Sequence, residues 1–167
     1  MSARGTFRFS EFTLRPAGAI ATDALLAKQW TEADPWHNTV QPSFWIEQGQ
    51  HCDSYILYDK DGPVFFWKGV LISPRSMEMH IQFPPRPANA QERRRLRGRV
   101  ALGLIVGLKW LEGILFATGV KEIYFDSFSD DLIVFCVNRL DFVQDGPLLR
   151  KRLSASRESQ KLVERQM

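Results

Sequence analysis

The amino-acid sequence predicts an α/β (α+β) fold, a mixed β-sheet with helices on its faces. The chain has 167 residues, enough for one domain with a substantial core. Segments with the two-residue period of strands alternate along it with segments that have the 3.6-residue period of helices. The predicted order of elements is β-α-α-β-β-β-α-β-α-β-β. Residues 77–127 form a βαβ unit in this order, so the two strands that flank its helix should be parallel.

The N-terminal part predicts one strand and two helices. Residues 6–15, TFRFSEFTLR, alternate between apolar and polar side chains and predict a strand with a slip near Glu11. A helix begins at Thr22, which is a good capping residue, and ends before Pro35. Pro42 suits the first turn of a second, short helix.

Three strands follow. Residues 53–59 and 62–72 are predicted to form a hairpin across KDG, because Asp61-Gly62 is a strong hairpin signal. Residues 77–83, MEMHIQF, alternate apolar with polar side chains. This alternation predicts a half-buried strand with one polar face.

A long helix is predicted after a proline-rich loop. Asn89 is expected to cap it and Gly119 to end it. Gly107 is expected to let the helix press against the sheet. One face of the helix predicts a buried stripe, made of Leu96, Val100, Leu104, Leu108, Leu111 and Leu115.

The C-terminal part predicts a strand at 121–127, a helix capped by Ser129 or Asp130, and two strands separated by a DGP turn. No linker divides the chain. Residues 1–153 are therefore predicted to be a single domain, and residues 154–167 a polar tail.

Charge is concentrated in one stretch. Five of the seven residues from Arg93 to Arg99 are arginine, and without them the formal net charge of +3 would become −2. This local basicity argues against a general nucleic-acid surface, and no aromatic side chain interleaves with the arginines as a stacking platform would require. The alternatives for this stretch are an anion site at a helix start and a solvated helical turn.

The remaining composition indicates a protein without metal, membrane or disulfide. The two cysteines lie far apart in the sequence, which points to a reducing, cytoplasmic compartment. The histidines do not have the spacing of metal ligands. Residues 100–120 are apolar, but Lys109 and Glu112 lie in their middle, where each charge would cost about 2.5–3.5 kcal/mol in a bilayer. They are interpreted as a core helix.

Two stretches show a family likeness. RLRGRV, from Arg95, and GRVALG, from Gly98, each fit in part a Gln/Arg-x-x-Gly-x-Gly/Ala loop. The stretch GVKEIYFDSFSDDLIVFCVNRLDF approximates a strand–helix–strand segment whose helix ends in Tyr-x-x-x-Gly-Phe, with Phe142 as the last aromatic residue. Together with the order of elements, these stretches resemble the GNAT superfamily of N-acetyltransferases over residues 6–153.

The resemblance implies a GNAT-like sheet in which two parallel strands splay apart in a V. It implies acetyl-CoA, or another acyl-CoA, as the cofactor, and a small-molecule or peptide amine as the acceptor, with direct transfer in a ternary complex. Val137 and Asp141 stand at the tyrosine and glycine positions of the closing segment. That tyrosine is the family's usual general acid. The alternative is therefore a GNAT-like fold without catalysis that binds a ligand or a protein, and a homodimer through an exposed aromatic edge is also open.

Cofactor-binding candidates follow from the same resemblance and from charge. Arginines supply bidentate, permanently charged donors for phosphates, and residues three or four apart share a helix face, which pairs Arg93 with Arg97 and Arg95 with Arg99. The expected cofactor-binding set is Ile81, Gln82 and Phe83 through their backbone, and Arg93, Arg95, Arg97, Gly98, Arg99, Ala101, Gly103 and Ser127.

Candidates for acid–base chemistry lie on the polar face of the strand at 77–83. Glu78 or His80 could take the proton of an amine. Asp34, Trp36 and His37, between the first two helices, are the expected acceptor-binding residues. Cys136 is expected to be a buried small hydrophobic residue rather than an acid.

Overall fold

The computed structural model describes residues 5–9, 11–35, 40–127, 129–154 and 161. Within these residues, eight strands form one sheet: β1 (Phe7–Phe9), β2 (Phe12–Pro16), β3 (Cys52–Asp59), β4 (Gly62–Ser73), β5 (Ser76–Gln82), β6 (Glu122–Asp126), β7 (Val143–Asp145) and β8 (Leu148–Arg152). The helices are α1 (Thr22–Ala33), α2 (Ala90–Ala117) and α3 (Asp130–Arg139), with a short 3₁₀ helix at Pro42–Trp45.

The strand order in the sheet is β1-β2-β3-β4-β5-β6-β8-β7. Neighbouring strands are antiparallel, except that β5 and β6, on either side of α2, are parallel. The mixed α/β class and the parallel pair are therefore as predicted. The hairpin of β3 and β4 forms as expected, with Lys60 and Asp61 in its turn. Gly62 begins β4 opposite Asp59 and adopts a φ of 124° that other residues rarely tolerate.

The N-terminal prediction was wrong in one respect. Residues 6–15 do not form one strand but two, because β1 and β2 pair antiparallel with Phe7 opposite Leu14. The break near Glu11 in the alternation is a chain reversal. The reversal lets the apolar side chains Phe7, Phe12 and Leu14 all enter the same core, which a single straight strand could not achieve.

The sheet is covered on both faces. On one face, α1 and the 3₁₀ helix bury Ala27, Trp30 and Trp45 against Ile56 and Phe66 of the sheet. On the other, α2 and α3 cover the larger core. The predicted stripe of α2 is buried there at Leu104, Leu108, Leu111 and Leu115. Its first two members, Leu96 and Val100, are only half-buried, because they line a groove.

Two glycines bring α2 close to the sheet. A Cβ on Gly103 would lie 2.9 Å from Leu57 Cδ2 and 3.0 Å from Val64 Cγ1, and one on Gly107 would lie 3.2 Å from Phe65 Cζ. The packing role expected of Gly107 is confirmed, and Gly103 shares it. α2 is long and apolar enough to cross a membrane, but half of its most apolar window is buried inside the protein, as in a core helix.

Candidate functional site

A cleft opens where β5 and β6 separate. The two strands pair only from Ser76 to Glu78 on β5, opposite Glu122 to Tyr124 on β6. Beyond Glu78 the described residues of these strands no longer pair with each other, while the end of β6 stays paired with β8. The gap holds a cavity of about 140 Å³ lined by Asp34, Met79, His80, Ile81, Phe83, Phe125, Asp126, Ser127, Ser129 and Leu132.

A larger groove adjoins this cleft. Its volume is about 740 Å³, and it runs between the proline-rich segment after β5, the first turns of α2 and the start of α3. Phe83, Ser129 and Leu132 border both cavities, so the cleft continues into the groove. Four of the groove's lining residues are arginines, at Arg86, Arg93, Arg94 and Arg97.

The arginines of the basic stretch divide between two faces of α2. Arg93 and Arg97 face the groove together with Arg94. Arg95 and Arg99 face the β3–β4 hairpin instead: Arg95 donates to Asp61 at 2.9 Å, and Arg99 binds Asp59 through two bonds of 2.7 and 2.8 Å. The pairing by face is as the sequence predicts, but the structure sets Arg95 and Arg99 apart from the groove.

On the groove side, Arg93 has a second task. Its guanidinium donates to the carbonyl oxygens of Pro87, at 3.2 Å, and Ala88. These bonds tie the proline-rich segment to the helix and fix one wall of the groove. Arg97 lies 3.9 Å from Asp131, but both side chains are largely exposed, so this ion pair holds it only weakly. Arg86 and Arg94 were not among the sequence candidates.

The start of α2 is not the glycine-containing loop that the family resemblance implies. The helix begins at Ala90, and Asn89 caps it by accepting hydrogen bonds from the N–H groups of Gln91 and Glu92. Gly98, Ala101 and Gly103 therefore lie inside the helix. Their backbone N–H groups belong to the helical ladder and are not offered to a ligand.

These three residues have different surroundings. Ala101 lines the groove. Gly98 is exposed, and a Cβ there would meet nothing within 4 Å. Gly103 packs against the sheet, on the side away from the groove. Only Ala101 of the three is placed to contact a ligand in the groove.

Glu78 and His80 form an ion pair on the polar face of β5. Glu78 Oε1 lies 2.7 Å from His80 Nε2, a contact that becomes fully charged when the imidazole is protonated. The ring of His80 packs edge-on against Phe44 at 5.3 Å between centroids. His80 lines the cleft, whereas Glu78 is not among the described residues that line it.

Asp34 reaches the same cleft from the end of α1. It is the C-terminal capping residue of that helix, and its Oδ2 accepts a hydrogen bond of 2.6 Å from Gln82 Nε2. Gln82 is completely buried, while Ile81, Phe83 and Ser127 line the cleft. Trp36 and His37, the other expected acceptor residues, lie outside the described residues.

The end of α3 differs from the family pattern in a way the structure explains. Asp141, at the glycine position, has a φ of 61°, a conformation that aspartate tolerates better than most residues. The chain therefore turns as a glycine would allow, and Phe142 packs edge-on against Phe125. Val137 is partly exposed, and burial raises the pKa of the neighbouring Cys136 to about 12, so this thiol stays protonated.

Metal ligation finds no support in the described ranges, where no three histidine, cysteine, aspartate or glutamate residues are grouped closely enough to hold an ion. The arrangement as built is an arginine-lined groove that leads to a cleft with a histidine, carboxylates and hydroxyl groups. Such a groove suits a phosphate-bearing ligand, because guanidinium groups form strong charge-assisted bonds with phosphate oxygens.

The sheet is mixed, the parallel pair of β5 and β6 splays apart, and a cavity lies at the splay. Sequence comparison with protein-family models and with curated proteins gave no match. Solved structures do match. A probable acetyltransferase of the GNAT family from Chromobacterium violaceum superposes with a TM-score of 0.62 at 14% identity, covering 91% of this chain and 93% of that one.

Two further solved structures are also similar to this chain. The N-acetyltransferase PseH of Campylobacter jejuni, in complex with acetyl coenzyme A, gives a TM-score of 0.55 at 11% identity, with 87% and 99% of the two chains covered. A ribosomal-protein alanine N-acetyltransferase from Escherichia coli gives 0.56 at 15%, with 87% and 96% covered. At these identities the likeness shows the fold: the chain has a divergent GNAT fold, as its sequence resemblance predicts.

Proposed function

We propose that this protein is an N-acyltransferase that transfers the acetyl group of acetyl-CoA, or another short acyl group from its CoA thioester, to an amine in a ternary complex. The observation that carries the proposal is the continuity between the arginine-lined groove and the cleft that contains His80. One cavity system thus offers cations for phosphates and a base for an amine. Residues 1–153 would form this single cytoplasmic domain, with 154–167 as a tail.

The donor set of the groove fits coenzyme A. Arg86, Arg94 and Arg97 would hold its phosphates, and Arg93 would do so while it fixes the loop. The apolar part of the lining, which includes Val100, Ala101 and Leu104, would pack along the uncharged arm of the ligand. Coenzyme A brings an acetyl thioester to the cleft when it is bound, and the backbone near Ile81 and Phe83 is proposed to face that group.

His80 is proposed to act as the general base. It would take a proton from the amine, which attacks only in its neutral form, and Glu78 would orient the ring and stabilise the imidazolium that forms. In the overall reaction a C–N bond forms and the C–S bond of the thioester breaks. The sulfur leaves with the bonding electrons and ends as a thiol.

A second candidate function is binding without catalysis. Val137 in place of a tyrosine favours it, because no phenol on α3 can protonate a departing thiolate there. Under this alternative the groove would still bind an anionic ligand, and turnover would be absent.

If the protein is an enzyme, its acceptor would be a small-molecule or peptide amine.

The test is calorimetric titration of the protein with acetyl-CoA at low and high salt, followed by assay of thiol release with amines. We expect binding that weakens with salt, because exposed guanidinium–phosphate attraction is screened. Thiol release that disappears in His80→Gln, with binding retained, would support the enzyme. Binding without release from any amine would support the binding module, and absence of acetyl-CoA binding would overturn the proposed enzyme.

A further inference from the structure

The cleft and the groove carry opposite charges. Among the described residues that line it, the cleft has two carboxylates, Asp34 and Asp126, and no lysine or arginine. The described lining of the groove has four arginines and a single carboxylate, Asp131. An anionic donor would therefore be drawn to one end of the cavity system, and a cationic acceptor to the other.

Asp34 is held in place by a buried side chain. Gln82 is completely buried, and its Nε2 donates to Asp34 Oδ2 at 2.6 Å and to the carbonyl of Phe83 at 3.2 Å. The orientation of the amide is fixed, because only its NH₂ group can face a carboxylate. Its Oε1 has no hydrogen-bond partner among the residues that the structure describes. The fully buried amide of Gln82 orients the carboxylate of Asp34 at the wall of the cleft. Such a costly arrangement indicates that the orientation of this carboxylate is important for what the cleft binds.

The end of α1 adds to the negative potential at this point. Asp34 is the C-terminal cap of the helix, and the last turn of α1 has no basic residue. The carbonyl groups at a helix C-terminus carry a partial negative charge that favours cations. The partial charge at the helix end and the charge of the Asp34 carboxylate are both negative, so both favour a cation at this point.

We propose that the acceptor is a small amine that carries a second cationic group, and that Asp34, positioned by Gln82, binds this second group. The inference rests on the proposed function and names its substrate class. The reacting nitrogen must lose its charge beside His80, so a carboxylate that binds an ammonium has to hold a different nitrogen. A cleft of about 140 Å³ suits a short aliphatic diamine. An acceptor with a carboxylate in place of the second ammonium would be repelled.

Three four-carbon amines test this directly: 1,4-diaminobutane, butylamine and 4-aminobutyrate. They share the reacting amine and chain length and differ only in the distal group. We expect the diamine to bind in the calorimeter, and to be acetylated, at least about tenfold better than butylamine, with 4-aminobutyrate worst. Equal values for the three, in a protein that binds acetyl-CoA, would overturn this inference and leave the proposed function standing.

Variants assign the effect to residues. Asp34→Asn should weaken binding of the diamine by about tenfold, chiefly as a rise in KM, and should thereby reduce the preference for the diamine over butylamine. Gln82→Met should raise KM for the diamine more than KM for butylamine, which a general loss of structure would not do. Asp145→Asn, which removes the same charge from β7, is the matched control. A diamine preference that survives Asp34→Asn would contradict the assignment.

Discussion

The arginines on the two faces of α2 are the same residue type on the same helix turns, yet their surroundings differ. Arg99 and Arg95 bind the aspartates of the β3–β4 hairpin, and Arg99 is only 21% exposed at its side chain. Arg94 and Arg97 border the groove, and Arg97 is 80% exposed. One face stabilises the fold, and the other is available to a ligand. A cluster of like residues in a sequence can therefore serve two purposes that only the helix orientation separates.

Removing charge from the groove face should give the largest effect. Arg94→Gln combined with Arg97→Gln should weaken acetyl-CoA binding about a hundredfold, because two charge-assisted bonds of about 1.5 kcal/mol each are lost. The melting temperature should stay unchanged. Titration calorimetry and thermal melting measure the two quantities.

A control with the same charge change sharpens this comparison. Arg95→Gln combined with Arg152→Gln removes two charges from outside the groove, since Arg152 is an exposed residue on β8. Binding should weaken less than threefold. A hundredfold loss in this control would mean that net charge alone governs binding.

Removing Arg99, which faces the β3–β4 hairpin, should lower the stability of the fold. Arg99→Gln removes a bidentate, largely buried ion pair and should lower the free energy of unfolding by about 2 kcal/mol, with acetyl-CoA affinity retained. Chemical denaturation of the variant and the wild type gives the difference. A loss of affinity without a loss of stability would reverse the assignment of the two faces.

The same ion pair predicts a pH dependence. Burial alone would raise the pKa of Asp59, but the hydrogen bonds from Arg99 and from the backbone of Asp61 and Gly62 lower it overall. A lowered folded-state pKa stabilises the protein above the ordinary value of 3.8, and this contribution is lost as the pH falls below it. Arg99→Gln should therefore lose less stability than the wild type between pH 5 and the acid transition, as followed by denaturation at each pH.

The glycines give the smallest effects, with opposite signs. Gly103→Ala should destabilise by about 1–2 kcal/mol, because its Cβ would press on Leu57 and Val64. Gly98→Ala should stabilise by about 0.5–1 kcal/mol, because its Cβ meets open space in a helix. Equal destabilisation by both would contradict the position of α2 on the sheet.

Local chemistry made much of the fold predictable. The β3–β4 hairpin at Asp61-Gly62, the Asn89 cap and the buried leucines of α2 from Leu104 onward each depend on neighbours in sequence, and each is present as expected. The family motif suggested a phosphate loop near Gly98, but the cap at Asn89 begins the helix eight residues before Gly98 and carries it through the motif. In this helix the local capping signal, and not the partial motif, determines where the helix begins.

The faces of the arginines were only half predictable. Periodicity groups Arg95 with Arg99, but it does not say what they face. Gly103 lies four residues after Arg99 and therefore on the same face of α2. Because Gly103 packs on the sheet, Arg95 and Arg99 also lie on the sheet side of the helix. The contact between Asp34 and Gln82 joins residues 48 positions apart, and no local pattern predicts it. Long-range side-chain contacts of this kind complete the site.

The most direct test of the account is the affinity for acetyl-CoA of Gly98→Ala and Arg97→Gln, titrated side by side with the wild type. If arginine side chains hold the phosphates, Gly98→Ala should bind as tightly as the wild type and Arg97→Gln about tenfold more weakly. If a backbone loop at Gly98 held them, the added methyl group would abolish binding while Arg97→Gln had little effect. That second result would show that the side chains of the capped helix do not form the phosphate site.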